Sequence, residues 1–109
     1  MSQHYFRTRL QGEPVTVVLG WSRPLHQFFL IVERPEPKPG QDDYVYIDQD
    51  DSRRDLPHFA AKLEELGIEV PRAMFEQVQL DPVTTGFDRV VSYQLDGGFT
   101  SAALHTAVH

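Results

Sequence analysis

The chain has 109 residues, of which 40% are hydrophobic and 24% are charged, and its net charge at pH 7 is −6. These values are ordinary for a folded globular protein, so we predict a single domain over residues 1–109. The chain has no cysteine, which excludes disulfides, thiol nucleophiles and thiolate metal ligands. The longest purely apolar run, Phe28–Val32, is far shorter than the roughly 20 residues of a membrane-spanning helix. We therefore expect no membrane association and a cytoplasmic location.

Charge is unevenly distributed along the chain. Residues 1–34 contain four arginines and two glutamates, whereas residues 35–109 contain six basic and fourteen acidic residues. A partner that is attracted to the second part by charge would be cationic, because the field of that part is negative. Bulk attraction to phosphates is not expected, so the sequence predicts that the protein does not bind nucleic acid directly.

The N-terminal third predicts three antiparallel strands. Aromatic and β-branched residues dominate these stretches, and short turns that contain Gly or Pro separate them. The predicted strands are His4–Leu10, Val15–Trp21 and Leu25–Glu33. Because the intervening turns are short, the three strands are expected to form a meander. Gly20, inside the second strand, indicates a bulge or a close approach of another group to the backbone.

A proline-rich connector follows the third strand. Residues 34–41 alternate proline with charged residues, which is typical of an extended and solvent-exposed loop. Tyr44–Ile47 then predicts a fourth strand. Residues 48–55 predict a polar, acidic loop in contact with solvent.

Helical patterning begins at Leu56 and ends at Leu66. Pro57 lies in the first turn, where its missing N–H is not needed, and Asp55 is positioned to cap the N-terminus. Gly67 is suited to end the helix. A hydrophobic stripe with helical spacing consists of Phe59, Leu63 and Leu66.

The C-terminal part predicts a second short helix and a return to strand. The helix opens at Pro71 and stops before Pro82, and Asp88–Leu95 predicts a further strand. A Gly-rich turn precedes Phe99, which begins a short strand and a loose tail. The predicted fold class is therefore α+β, with an antiparallel sheet of about five strands packed on two short helices.

Several predicted strands are apolar on both faces. Phe28–Val32 is the clearest case, since successive residues of a strand point to opposite sides of the sheet. Two short helices cover only one face. The other face is then covered by the C-terminal segment, or it forms a surface for a protein partner or a second copy of the chain. Trp21 and Phe28 are the aromatic residues that we expect at such a surface.

The stretch around the fourth strand is rich in aspartate. The candidate partner-binding carboxylates are Asp42, Asp43, Asp48, Asp50, Asp51 and Asp55. Asp48 and Asp50 match the first ligands of a helix-loop-helix calcium site, but Arg53 replaces the required Gly and Phe59 replaces the bidentate Glu. We interpret this stretch as a solvated acidic surface rather than as a calcium site.

No complete catalytic, phosphate-binding or metal-binding motif is present in the sequence. His105 and His109 have the spacing of a two-histidine metal pair but lack a third ligand. His26 and His58 are the only plausible general bases. The sequence therefore predicts no catalytic, cofactor-binding or metal-ligating residues, no cofactor, and a protein that is not an enzyme.

The first third of the chain carries a family resemblance. His4–Thr8, Gly20–Leu25 and Phe28–Glu33 together resemble the start of short uncharacterised bacterial proteins, often found in accessory or mobile gene sets. The resemblance implies a bacterial source and an accessory function such as inhibition of a host defence complex. It implies no activity, cofactor or catalytic residue.

Three functions remain open at this point. The first is a small acidic protein-binding or adaptor module that binds a protein partner or forms a homodimer. The second is an inhibitor that presents the six aspartates as a phosphate mimic to a nucleic-acid-binding protein, as anti-CRISPR proteins can. The third is a small-molecule binder or enzyme that uses the aromatic sheet face, with His26 or His58 as its base.

Overall fold

A computed structural model describes residues 2–22, 26–48, 55–83, 89–94 and 98–103 of the chain. Within these ranges it contains six strands and two helices, which confirms the predicted α+β class. The elements in chain order are β1 (Ser2–Leu10), β2 (Glu13–Ser22), β3 (Gln27–Glu33), β4 (Tyr44–Asp48), α1 (Leu56–Leu66), α2 (Arg72–Val78), β5 (Arg89–Tyr93) and β6 (Phe99–Ala103).

The strands form one sheet with the order β4-β3-β2-β1-β5-β6. The predicted N-terminal meander is confirmed, since β1 through β4 pair as antiparallel neighbours. The chain then passes through both helices and returns to the free edge of β1, where β5 pairs in parallel. β6 adds antiparallel to β5 and corresponds to the short strand expected from Phe99.

The turn between β1 and β2 shows how local sequence sets the register of the meander. Gln11 and Gly12 both have positive φ, 53° and 82°. Two such residues form the type I′ geometry whose twist matches antiparallel strands. The register that follows pairs Leu10 with Glu13 and His4 with Leu19.

Both helices pack on the same face of the sheet, and the hydrophobic core lies between them and that face. The predicted helix signals are confirmed at α1. The Asp55 side chain accepts a hydrogen bond from the His58 backbone N–H at 3.0 Å, and Gly67 ends the helix with φ 81°. The main core residues are Phe6, Val15, Val17, Leu19, Leu30, Val32, Phe59, Leu63, Met74, Val78 and Val91.

The opposite side of the sheet, here called the open face, consists of the alternate residues of each strand. In the described ranges neither helix packs against it. Phe29 is nevertheless only 4% exposed, because its ring lies directly over Gly20. A Cβ atom at position 20 would lie 2.5 Å from that ring, so the close approach predicted for Gly20 is confirmed.

Candidate partner-binding surface

A buried polar cluster joins β1, β5 and the turn after α2. His4 Nε2 lies 2.6 Å from Asp81 Oδ2, and His4 Nδ1 lies 2.7 Å from the Tyr93 hydroxyl. The Ser2 hydroxyl donates to the same Asp81 oxygen at 2.5 Å, and Arg89 approaches Asp81 Oδ1 at 3.3 Å. His4 has no exposed surface, and Ser2, Asp81 and Tyr93 are at most 7% exposed. Three side-chain hydrogen bonds and one ion pair thus connect the cluster inside the described core.

The protonation pattern of this cluster follows from its burial. Burial raises the pKa of Tyr93, so its hydroxyl stays protonated and shares a hydrogen bond with His4 Nδ1. Burial opposes ionisation of Asp81, but hydrogen bonds from His4 and Ser2 and the electrostatic attraction of His4 and Arg89 hold the pKa of Asp81 below its ordinary value. Arg89 Nη1 lies 3.3 Å from Asp81 Oδ1 and places a positive charge beside the carboxylate.

The cluster has the geometry of a structural network. Ser2 Oγ contacts Asp81 rather than His4, and it also accepts the Trp21 backbone N–H at 3.0 Å. A nucleophilic serine instead needs a hydrogen bond to its base. Sequence reasoning missed this network because His4 and Asp81 are 77 residues apart in the chain. Strand alternation could have placed His4 on the core face with Phe6.

The structure places the predicted partner-binding aspartates in different environments. Asp42 and Asp43 are exposed directly before β4, as expected. Asp48 is only 7% exposed and accepts a hydrogen bond from the Tyr46 hydroxyl at 2.6 Å. The expectation that Asp48 belongs to a solvated loop is therefore wrong: the strand extends to this residue, and alternation turns its side chain toward the core. Asp55 caps α1, while Asp50 and Asp51 lie outside the described residues.

Trp21 and Phe28 form a cross-strand pair on the face that the helices cover. Their rings meet edge to face with centroids 4.9 Å apart, and both side chains are half-buried. They are therefore not on the open face. His26 lies in the turn before β3 with φ 52°, so its predicted position within a strand is wrong. His58 is exposed on α1, and His105 and His109 lie outside the described residues.

Two large apolar side chains are exposed on the edge strand β4. Tyr44 is 44% exposed and Ile47 is 47% exposed. Ile47 pairs with Ile31 and Tyr44 pairs with Glu33, so both side chains belong to the open face. The register shifts at Val45, which has no partner on β3, and this bulge turns Val45 and Tyr46 together toward the core.

Carboxylates lie close to these two side chains: Glu33 pairs with Tyr44 across the two strands, and Asp42 and Asp43 line the same surface hollow. Within the described residues, none of these three carboxylates has an ion-pair partner. Arg34 is close, but its guanidinium donates to the backbone carbonyls of Asp42 and Tyr44 at 2.8 and 3.2 Å. The nearby Lys38 is already paired with Glu13 at 2.9 Å. The local field is therefore negative.

We name this region the β4 surface and define it by Ile31, Glu33, Asp42, Asp43, Tyr44 and Ile47. An open depression of about 580 Å³ runs along Asp42–Ile47. A second depression of about 800 Å³ lies farther across the sheet, between Glu33 and Glu36 on one side and Arg7 and Ser92 on the other. Both are open hollows on the surface of the protein.

The described ranges contain neither a cluster of metal ligands nor a helix that could span a membrane. No cluster of three or more His, Asp or Glu side chains there could hold a metal ion. Neither described helix has the length and apolar character that crossing a membrane requires. Comparisons of the chain with protein-family models, with curated proteins and with solved structures give no match.

Proposed function

We propose that this protein is a non-enzymatic protein-binding module whose partner docks on the β4 surface. One observation carries the proposal: Tyr44 and Ile47 are exposed on an edge strand, 44% and 47%, beside carboxylates that have no ion-pair partner among the described residues. Tyrosine is enriched among the residues that dominate binding energy at interfaces. An apolar patch rimmed by charge is typical of an interaction site.

Negative charge at this surface supports a partner of opposite sign. The protein as a whole has a net charge of −6, so its long-range field steers cationic molecules toward it. An inhibitor of a nucleic-acid-binding defence complex is one form of this proposal, because such complexes present cationic surfaces. Its carboxylates would be those of the β4 surface, since Asp48 and Asp55 are engaged within the fold. A bacterial source and a cytoplasmic location remain predictions.

The proposal is tested by affinity capture with matched variants. Ile47→Arg removes the apolar centre of the β4 surface, and Val83→Arg makes the same change at a residue that is 78% exposed in the turn after α2. We expect the native chain and Val83→Arg to capture the same protein. Ile47→Arg should capture at least about tenfold less of it, as expected for an interface hot spot. Circular dichroism must show all three chains folded. Equal capture by all three chains would contradict the proposal.

A further inference from the structure

The larger of the two depressions described above contains side chains of both charges. Its volume of about 800 Å³ lies within the range of small-molecule sites in proteins. Thr16 of β2 pairs with Arg7 on one side and with Glu33 on the other, so the three side chains stand in one row on the open face. We name this depression the Arg7 hollow and define it by Tyr5, Arg7, Thr16, Glu33, Glu36 and Ser92.

The shape of the Arg7 hollow follows from the elements around it. The described pairing of β5 with β1 runs from Ser2 to Phe6, so the β1–β2 hairpin extends past the end of β5. Ser92 of β5 and Glu36 of the connector after β3 line opposite sides of the hollow, and both are exposed. Tyr5 is half-buried there, and its hydroxyl donates to Gln3 Oε1 at 2.8 Å. The hollow thus combines an aromatic ring with charged groups.

The charged groups of the hollow do not neutralise one another. In the part of the chain that the structure describes, the side chains of Arg7, Glu33 and Glu36 have neither a hydrogen bond nor an ion pair. Neighbouring strands lie about 4.8 Å apart, so the Cα atoms of Arg7 and Glu33 are about 10 Å from each other. Arg9, the next residue on this face of β1, instead donates to the Gly12 carbonyl at 3.1 Å. Opposite charges separated in this way can hold the two ends of one small molecule.

From this geometry we infer that the Arg7 hollow binds a small zwitterion of the amino-carboxylate class. The guanidinium of Arg7 holds the carboxylate, because its planar set of N–H donors matches the two carboxylate oxygens. Glu33 and Glu36 hold the ammonium group. The methylene chain between the two charges lies over Thr16, which is only 7% exposed, beside the ring of Tyr5.

Molecules with a single charge fit this hollow less well. An anion without an ammonium group is repelled by Glu33 and Glu36, and a cation without a carboxylate is repelled by Arg7. Such like-charge contacts give specificity, because they penalise the wrong ligand. The sequence left open a small-molecule binder with His26 or His58 as its base, but neither histidine lines the hollow. The inference therefore concerns binding and no catalytic step.

Three probes of equal chain length test the inference. δ-Aminovalerate has both charges, valerate has only the carboxylate, and pentylamine has only the ammonium group. Chemical-shift changes in amide NMR spectra of the purified chain measure their affinities, and the amides of Arg7 and Thr16 report binding in the hollow. We expect δ-aminovalerate to bind at least about fivefold more tightly than either analogue, with a dissociation constant of about 10 mM or below. γ-Aminobutyrate and ε-aminocaproate, one methylene shorter and longer, show which charge separation fits best.

Matched variants test which side chains hold the ligand. Arg7→Gln should bind δ-aminovalerate and pentylamine equally well, because the contact with the carboxylate is gone. Arg9→Gln removes the same charge from the same face of β1 and should change binding by less than about twofold. Glu33→Gln combined with Glu36→Gln should bind δ-aminovalerate and valerate equally well, whereas Glu64→Gln, at an exposed position on α1, should keep the native preference. Circular dichroism must show that each variant is folded.

Three results would overturn the inference. Equal binding of δ-aminovalerate and valerate to the native chain would indicate a simple anion site. Equal losses in Arg7→Gln and Arg9→Gln would indicate a general effect of charge, and saturable binding by none of the three zwitterions would leave the hollow without its ligand class. The inference stands apart from the proposed function, because these measurements use the purified chain and Ile47 does not line the hollow. Either can fail while the other holds.

Discussion

Replacing Asp81 by asparagine should destabilise the protein without changing its shape. Asp81 Oδ2 accepts from Ser2 and His4, and Oδ1 faces Arg89. An asparagine has one acceptor oxygen and one NH2 group, so in either orientation an NH2 faces at least one of these donors. A buried donor left unsatisfied costs about 1–3 kcal/mol. Because Arg89 also loses the charge that balances it, we expect a total loss of about 2–4 kcal/mol.

Urea unfolding measures this loss as a lower transition midpoint with an unchanged slope. The matched control is Glu69→Gln, an exposed carboxylate that should change stability by less than about 0.5 kcal/mol. A loss below about 1 kcal/mol for Asp81→Asn would show that the cluster contributes little, and the reasoning about unsatisfied donors would be refuted.

The stability difference between the native chain and Asp81→Asn should depend on pH in a defined direction. The folded-state pKa of Asp81 is lowered from 3.8, so ionised Asp81 stabilises the fold fully above the unfolded value. This contribution is lost as pH falls through the folded pKa. Asparagine does not titrate. The stability difference between the native chain and Asp81→Asn should therefore shrink as the solution is acidified below pH 3.8. A difference that stays constant into strong acid would contradict the assigned ionisation.

Three further predictions concern other parts of the fold. Phe59→Ala and Leu63→Ala, at residues 1% and 2% exposed, should each cost about 2–5 kcal/mol in chemical denaturation, and native-like values would mean that this stripe is not in the core. Gly20→Ala should lower the thermal midpoint, because its Cβ would lie 2.2 Å from the Ser2 carbonyl oxygen; an unchanged midpoint would mean that the sheet adjusts there. Asp48→Ala should cost about 1–3 kcal/mol, whereas Asp43→Asn should cost less than about 0.5 kcal/mol, and equal effects in denaturation would refute the contrast between buried and exposed carboxylates.

Local signals were sufficient to predict α1. The cap at Asp55, the stop at Gly67 and the stripe of Phe59 and Leu63 all depend on residues a few positions apart. Such interactions are present in the sequence window itself, so the helix bounds could be predicted from it. The same holds for the meander, whose tight turn at Gln11 fixes the β1–β2 register.

Long-range pairing could not be predicted in this way. The parallel pairing of β5 with β1 brings Val91 beside His4, yet no pattern within either segment specifies the direction or the neighbour of a strand. The polar cluster depends on that pairing, because it unites Ser2, Asp81 and Arg89 from distant parts of the chain. The prediction that Asp48 lies in a solvated loop was wrong for a simpler reason. The predicted strand ended at Ile47, so the alternation of the strand was not extended to Asp48, which it buries.

Four of the described aspartates are of two kinds, and the difference between them supports the location of the proposed surface: Asp48 and Asp81 are buried, whereas Asp42 and Asp43 are exposed. Asp81 and Asp48 are buried, and their oxygens are engaged by neighbouring side chains. Asp42 and Asp43 are exposed and have no ion-pair partner in the described ranges. Substitution of the first kind removes contacts on which the fold depends, whereas exposed carboxylates contribute little to folding. Substituting Asp42 and Asp43 should therefore change the charge of the β4 surface at small cost to the stability of the fold.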